Sequence, residues 1–571
     1  MPAPAISDAS AAAHVARALK AHGVARVFGL CGGHIMPLWM RIDGEGIEIV
    51  GVRDERAAVH MAQAHAEVTG GLGVALVTAG PGVTNAMTGI ANADMSRTPV
   101  LILSGCPPTA QEGRGALQDM DHARLVAPVA RYARTVRDPS LAPAALAEAI
   151  ACALGEGGAP GPAFLDMPTD MSRAEIPAAM AQMPRQRRQR ALPDPACVAE
   201  AVGLLWAAER PLVISGRGAR RAGPTLAALL DRLGAVHLDT GESRGLVADD
   251  HPSTVASLRG RVMGEADLVV TVGRRLDFQL GYGSPAIFPK ARFVRIADIP
   301  GELRDNRQGD AAILADCGAA LEAILAAAGN REPACDRGWR DGLHAEHLAR
   351  TERHAAAMAA APDGADGRMH PNRLIAALRD GLPPDAIVVV DGGDFLAFAR
   401  VGLSAPTMLD PGPFGCIGVG VPYGVAAALA CPGRPVLVAT GDGAFGFNAM
   451  ELDTAARHGA KAVFVVANNG AWQIEVHDQR EGYGRVVGTR LADADHAAMA
   501  RGLGLHAERV ERADDLPAAI VRAFANAPAL IDVAVTTDAV SSDGRAGLAW
   551  VPDLQPLAAW DEAERAWRAG R

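Results

Sequence analysis

Asp442 stands inside a Gly-Asp-Gly turn at 441–443, and after 24 further residues come two asparagines, Asn468 and Asn469. The turn follows the apolar run PVLVAT, and the asparagines end the run AVFVVANN. One carboxylate, one carboxamide oxygen and a nearby backbone carbonyl make an oxygen-only donor set. Such a set suits Mg2+ and leaves octahedral positions for the oxygens of a ligand. Gly441 and Gly443 allow close backbone approach, and a helix beginning here offers its N–H groups to an anion. The chemistry written into this stretch is the anchoring of a diphosphate through a divalent cation. Taken by itself, the tripeptide reads equally well as a tight turn followed by an Asn-rich one.

Both groups must be delivered to one place. The spacing predicts a strand over PVLVAT, a turn, a helix over FNAMELDTAARH ended by Gly459, and a second strand over AVFVVA. Such a crossover makes the strands parallel and brings Asp442 and Asn468/Asn469 to the same carboxyl edge. Neighbouring strands would lie about 4.8 Å apart. The same alternation of apolar run and helical period recurs along the chain, as in GVALVTAGPG, VTNAMTGIANAD and TPVLILSG. Stretches 183–195 (MPRQRRQRALPDP) and 358–371 (MAAAPDGADGRMHP) read as linkers. We therefore expect an α/β protein of three doubly wound parallel-sheet domains, 1–182, 196–357 and 372–545, followed by a tail, 546–571. Residues 74–105 and 435–470 repeat one pattern of strand, glycine turn, helix and strand, which reads as duplicated architecture.

The GDG…NN pair resembles the signature of thiamine-diphosphate-dependent enzymes. A second, distant stretch agrees: GVRDERAAVHMAQAHAEVTGGLGVALVTAGPGVTNAMTGIANADMSRTPVLILSG, 51–105, is similar to the pyrimidine-binding domain of the acetolactate synthase and pyruvate oxidase group. A third, PGPFGCIGVGVPYGVAAALA at 411–430, is similar to that family's loop before the diphosphate motif. The resemblance spans about residues 8 to 540 in the order pyrimidine, middle and diphosphate domain. It implies thiamine diphosphate and Mg2+ as cofactors, with Asp442, the Asn469 side chain and the Ala471 carbonyl as metal ligands. It implies Glu55 as the carboxyl that protonates the cofactor's aminopyrimidine ring. Thr78, Pro81, Asn85, Gly392, Gly393, Cys416, Ile417, Gly441, Gly443, Ala444 and Asn469 join Glu55 as cofactor contacts, Ile417 as the apolar support of the bent cofactor. In that family the glutamate of one subunit serves cofactor held by another, so a homodimer is the minimum unit and a homotetramer is expected.

The reaction depends on groups around the cofactor's reactive carbon. Where acetolactate synthases have a small residue after the first glycine turn, this chain reads LCGGHIMPLW, with His34. His34, Gln118 in GALQDMDHARL and RVVGTRL at 485–491 look like benzaldehyde lyase. ESRGLVADDHP and GEADLVVTVGRRLDFQLGYG look more like oxalyl-CoA decarboxylase and 2-hydroxyacyl-CoA lyase. Both comparisons imply a substrate with a hydroxyl beside a carbonyl, cleaved between those carbons. The expected reaction is cleavage of a 2-hydroxyacyl-CoA to an aldehyde or ketone plus formyl-CoA, with His34 as base or proton shuttle and Gln118 as oxyanion donor. A benzaldehyde-lyase-like carboligase and an acetolactate-synthase-like pyruvate enzyme are the alternatives. A cofactor-binding regulatory homologue would have lost Glu55 or Asp442, and both are present.

Composition narrows the rest. A net charge of −10 argues against nucleic acid, and the 49% of hydrophobic residues fall in short, interrupted runs that cannot span a membrane. No secretory leader is read at the N-terminus, and the eight cysteines are scattered without metal-like spacing, so a cytoplasmic location with reduced thiols is expected. Lysine occurs only at 20, 290 and 461, which disfavours Schiff-base chemistry. SGRGARRAG at 215–223 suggests phosphate held by Arg217, Arg220 and Arg221, from CoA or from ADP or FAD in the middle domain. The polar loop after the asparagines and the tail, with Trp550, Trp560 and Trp567, are candidate covers for the site, the tail as a lid.

Overall fold

A computed structural model describes residues 6–156, 158–177, 190–541 and 557–570, of 557–560 the backbone alone. Most of the 183–195 linker and the start of the tail, Trp550 included, lie outside the described residues.

Three sheets, every strand parallel to its neighbours, account for the apolar runs. The first holds β1 (Arg26–Gly29), β2 (Glu48–Gly51), β3 (Gly73–Val77), β4 (Val100–Cys106), β5 (Tyr132–Thr135) and β6 (Pro162–Pro168) in the order β2-β1-β3-β4-β6-β5. The second holds β7 (Pro211–Ser215), β8 (Val236–Leu238), β9 (Leu268–Val272), β10 (Arg292–Ala297) and β11 (Ala311–Leu314), ordered β11-β10-β9-β7-β8. The third holds β12 (Ile387–Asp391), β13 (Thr407–Leu409), β14 (Val436–Gly441), β15 (Ala462–Asn468), β16 (His506–Val510) and β17 (Ala529–Ala534), ordered β13-β12-β14-β15-β17-β16. Renumbered from their first strands, the first and third sheets have one order, 2-1-3-4-6-5, which is the duplication the sequence suggested. Central strands such as VLILSGC and AVFVVAN are buried at every residue, because helices cover both faces of a parallel sheet.

The helix Glu55–Thr69 begins where Asp54 accepts a hydrogen bond from the Arg56 N–H at 2.8 Å, and it ends at Gly70. It packs against the helix Gly420–Ala430, GVPYGVAAALA, whose residues 420–428 are all buried. A helix apolar on every side needs cover on every side. Here it lies between the first and third sheets and fuses them into one apolar cluster that joins Phe28, Ala58 and Ile90 to Tyr423, Ala427 and Phe464. The middle domain keeps its own core, built from residues between 198 and 343. Its tie to the first domain is polar: Arg217 and Arg220 both reach Glu67, at 3.2 and 2.8 Å.

Two local readings change. The expected single helix after GDG is two, Asp442–Asn448 and Glu451–His458, the first starting at Asp442 itself with Gly441 as its cap. The stretch after the asparagines is no open loop, for it contains the helix Gln473–Tyr483. Its base is held by Gln473, which donates to the Thr537 carbonyl at 2.7 Å. The C-terminal helix Leu557–Ala569 docks on the middle domain. Arg307 lies 4.1 Å from the Trp567 ring and 4.9 Å from the Phe293 ring, with Glu564 at 3.9 Å. No described helix is long and apolar enough to cross a membrane.

Candidate active site

β14 and β15 pair directly, with Gly441 opposite Ala467. Asp442 and the two asparagines therefore leave adjacent strands at one carboxyl edge, as the crossover requires. The two asparagines then part in role. Asn468 is fully buried and donates to the Ala494 carbonyl at 2.8 Å and to Asp532 at 3.1 Å, so it holds the sheet edge together. Asn469 keeps its carboxamide oxygen toward the turn, where it accepts the Ala471 N–H at 3.1 Å. Asp442 accepts the Gly470 N–H at 2.8 Å. Burial pushes its carboxyl up to about 6 against the pull of these backbone bonds, and an adjacent divalent cation is the group that reverses such a cost.

The donor chemistry fits the expected cofactor. Asp442, just past the end of β14, and Asn469 and the Ala471 carbonyl, just past the end of β15, are hard oxygens on two adjacent turns, and no trio of His, Cys, Asp or Glu among the described residues forms a competing metal site. Gly392, at φ 119°, adopts a conformation other residues avoid and lies beside the Gly441 N–H. Gly393 approaches Ile474, Gly443 lies against the Trp472 indole, and Ala444 is buried beneath the turn. Asp391, which sequence reasoning passed over in DGGD, ties the pieces together. It accepts N–H bonds from Gly392 at 2.7 Å, Gly418 at 3.0 Å and Gly420 at 2.7 Å, joining DGGD to GCIGVG. Burial holds its carboxyl up at about 6. An acidic residue at a strand end, before glycines, was the available signal.

Ile417 is half-buried in that loop, and Cys416 lies 4.0 Å from His60. Burial pushes the Cys416 thiol up to about 11, so it stays protonated.

The groups of the first domain gather at the carboxyl edge of their own sheet. Glu55 is 6% exposed and accepts a hydrogen bond from Asn85 Nδ2 at 3.1 Å. Pro81 starts the helix Pro81–Met95 that carries Asn85, and Thr78 lies under Gly32 with a hydroxyl that finds no hydrogen-bond partner among the described residues. His34 Nδ1 is 3.0 Å from Gln118 Oε1, so the structure brings together two residues 84 positions apart. Gln118 has φ +63°, unusual for a residue with a side chain.

The two halves meet within the chain around Glu55 but not at it. Glu451, 1% exposed, accepts the Arg53 N–H at 3.0 Å, and Arg56 donates to the Phe447 carbonyl at 3.0 Å. Burial pushes the Glu451 carboxyl up to about 7. Among the described residues no hydrogen bond or ion pair links Glu55, Thr78 or Asn85 to Asp391, Asp442 or Asn469.

One expectation fails. Arg217 and Arg220 do not await a phosphate, because they share the buried carboxylate of Glu67. Arg220 also donates to the Glu242 carbonyl at 2.7 Å, and Arg217 to Thr98 at 2.7 Å. A glutamate three turns along the Glu55 helix, not visible as a partner in sequence, pairs with both.

Comparison with known proteins agrees with this architecture. Family models for thiamine pyrophosphate enzymes match in chain order: the N-terminal TPP-binding domain at residues 9–125, the central domain at 198–324 and the C-terminal TPP-binding domain at 391–533. Acetolactate synthase large subunit IlvG of Mycobacterium tuberculosis is 36% identical over 553 residues, covering 94% of this chain and 97% of that protein. 2-Hydroxyacyl-CoA lyase 2 is 31% identical in Caenorhabditis elegans, covering 88% and 84% of the two chains, and 32% identical in Homo sapiens, covering 86% and 83%. With three parallel sheets, three domain models matched in chain order and a relative 36% identical over 94% of its length, the chain belongs to the thiamine pyrophosphate enzymes.

Proposed function

We propose that the protein is a carbon–carbon lyase that cleaves a 2-hydroxyacyl-CoA to an aldehyde or ketone plus formyl-CoA, using thiamine diphosphate and Mg2+. The observation that carries this reading is the His34–Gln118 pair at 3.0 Å. With Gln118 Oε1 as acceptor, His34 Nδ1 carries the proton and Nε2 the lone pair. Nε2 is then a base for the hydroxyl proton of the substrate, and returns that proton in the reverse direction. The Gln118 amide N–H groups remain to donate to an oxygen on which charge develops. Glu55, steadied by Asn85, exchanges a proton with the cofactor's pyrimidine ring. Asp442, Asn469 and the Ala471 carbonyl would hold Mg2+, while Gly392, Gly393, Gly441, Gly443 and Ala444 would receive the diphosphate and Cys416 and Ile417 would support the cofactor. The bound cofactor supplies a carbon nucleophile and an electron sink.

Two further proposals belong to this reading. The working unit is a homodimer or a homotetramer, the arrangement in which a glutamate from one subunit serves the cofactor held by another. The exposed apolar side chains Phe414, Phe447, Leu117 and Met120 also ask for cover. The CoA or a middle-domain nucleotide, ADP or FAD, would meet a cavity of about 250 Å3 between the three domains, where Arg221 and Arg244 stand at the edge.

A second reading, acetolactate synthesis from pyruvate, is favoured by the 36% identity to IlvG. Product analysis separates them. The holoenzyme is incubated with 2-hydroxyisobutyryl-CoA, with benzoin and with pyruvate, and the products are identified by mass spectrometry. Formyl-CoA and acetone support the lyase, acetolactate and carbon dioxide assign the second reading, and benzaldehyde alone moves the protein to CoA-independent lyases.

A further inference from the structure

We propose that His122, locked by Asp166, is a positioning residue that sets the Gly80 turn and through it the His34–Gln118 pair; this rests on the reading of that pair as the proton-handling group. His122 follows Gln118 by four residues and opens the short helix His122–Val126. Its ring is completely buried, and Asp166, on β6, is 1% exposed. The Gly80 backbone N–H donates to His122 Nε2 at 2.8 Å, and His122 Nδ1 lies 3.0 Å from Asp166 Oδ2. A backbone N–H can only donate, so Nε2 must carry a lone pair, and Nδ1 must carry the proton it gives to the carboxylate. One tautomer satisfies both contacts.

Gly80 is the point from which the site is laid out. Its φ of 59° and ψ of −111° suit glycine alone, and it caps the helix Pro81–Met95. A Cβ placed there would come within 2.8 Å of Gln118 Cβ and 3.2 Å of its Cα, so Gln118 rests on the bare backbone of this turn. Gln118 is one of three described residues other than glycine with positive φ, a conformation that persists only where the surroundings enforce it. The helix starting at Gly80 also carries Asn85, which steadies Glu55. His122 thus grips the one turn that places Gln118 directly and Glu55 through Asn85. Without its imidazole the buried Gly80 N–H is left unpaired, and the left-handed Gln118 loses the surface that holds it beside His34.

The test compares His122→Gln with His122→Ala in the holoenzyme, using whichever substrate it turns over. A glutamine offers a carbonyl to Gly80 and an N–H to Asp166; alanine offers neither. His122→Ala should lower kcat by about tenfold, the rate equivalent of about 1.4 kcal/mol, with KM nearly unchanged, and His122→Gln should recover most of it. In a Gln118→Ala background, His122→Ala should cost little more, because both act through one pair. Hydrogen exchange at Gly80 should be slow in the wild type and in His122→Gln and fast in His122→Ala. Additive losses, or a His122→Ala variant with wild-type kcat beside an impaired Gln118→Ala, would overturn the proposal. Should His122→Ala not fold, 15N-histidine NMR of the wild type decides, since a His122 ring protonated at Nε2 is incompatible with it. Full turnover in His34→Ala and Gln118→Ala, with Gly80 exchange still governed by residue 122, would instead reject the catalytic reading and leave the contact standing.

Discussion

Replacing Glu67 by glutamine tests whether the junction of the first and middle domains is held by charge. The carboxylate is 5% exposed and accepts from Arg220 at 2.8 Å, Arg217 at 3.2 Å, Thr98 at 2.8 Å and Gln63 at 3.2 Å. Burial pushes its pKa up, and the guanidiniums of Arg220 and Arg217 more than reverse this, leaving it at about 2 instead of 4.5. At about 1.36 kcal/mol per pH unit, that gap is worth about 3 kcal/mol. The folded value is the lower one, so the contribution is complete above pH 4.5 and is lost as pH falls through about 2. The two arginines do not share the gain: Arg220 ends above its ordinary value, whereas burial leaves Arg217 below its own. The figure is the carboxylate's share, and the net worth of the triad is smaller. In Glu67→Gln both guanidiniums stay buried against a neutral amide. For a cooperative unit of roughly 150–250 residues, about 3 kcal/mol lowers Tm by roughly 6–12 °C. Thermal unfolding at pH 7 and one scan rate reads this directly, and urea unfolding between pH 5 and 3 should show the wild type approaching the variant. A variant that melts within about 1 °C of wild type at pH 7, or a difference that is the same at pH 3, would refute the reasoning.

Glu55→Gln should lower turnover by about 100-fold or more while cofactor binding, followed by circular dichroism, persists; undiminished turnover removes Glu55 from the chemistry. Asp442→Ala should weaken Mg2+ and diphosphate binding together in calorimetry, and unchanged affinity would deny it the metal. The two asparagines should separate. Asn469→Ala loses Mg2+ affinity with little change in stability, whereas Asn468→Ala, which strips the Asp532 and Ala494 contacts, destabilises by about 1–3 kcal/mol. Equal effects at both positions would mean that the division of roles is wrong.

The residues that determined their own surroundings are those governed by period and turn chemistry. PVLVAT and AVFVVA are short β-branched runs bounded by glycine and asparagine, and they form adjacent parallel strands because the intervening helices allow only a crossover. The placement of Asp442 and of the Asn468–Asn469 pair was legible for the same reason, since strand ends in such a sheet lie at one edge. Motif resemblance extended this to Glu55, His34 and Gln118, and the last two do meet. Burial and distant partners belong to the tertiary structure. The choice between Asn468 and Asn469 depends on Asp532, 64 residues away, and the fate of Arg217 and Arg220 depends on Glu67, about 150 residues earlier. An arginine-rich glycine turn carries no mark of whether its charge faces a phosphate or a glutamate. His122 was silent, and Asp391 was marked only by its place at a strand end before glycines, because each acts on backbone N–H groups of glycines, which have no side chain to announce the contact. Local sequence sets strands, turns and edges through short-range sterics and hydrophobic period; only the packed chain decides which buried polar groups satisfy one another.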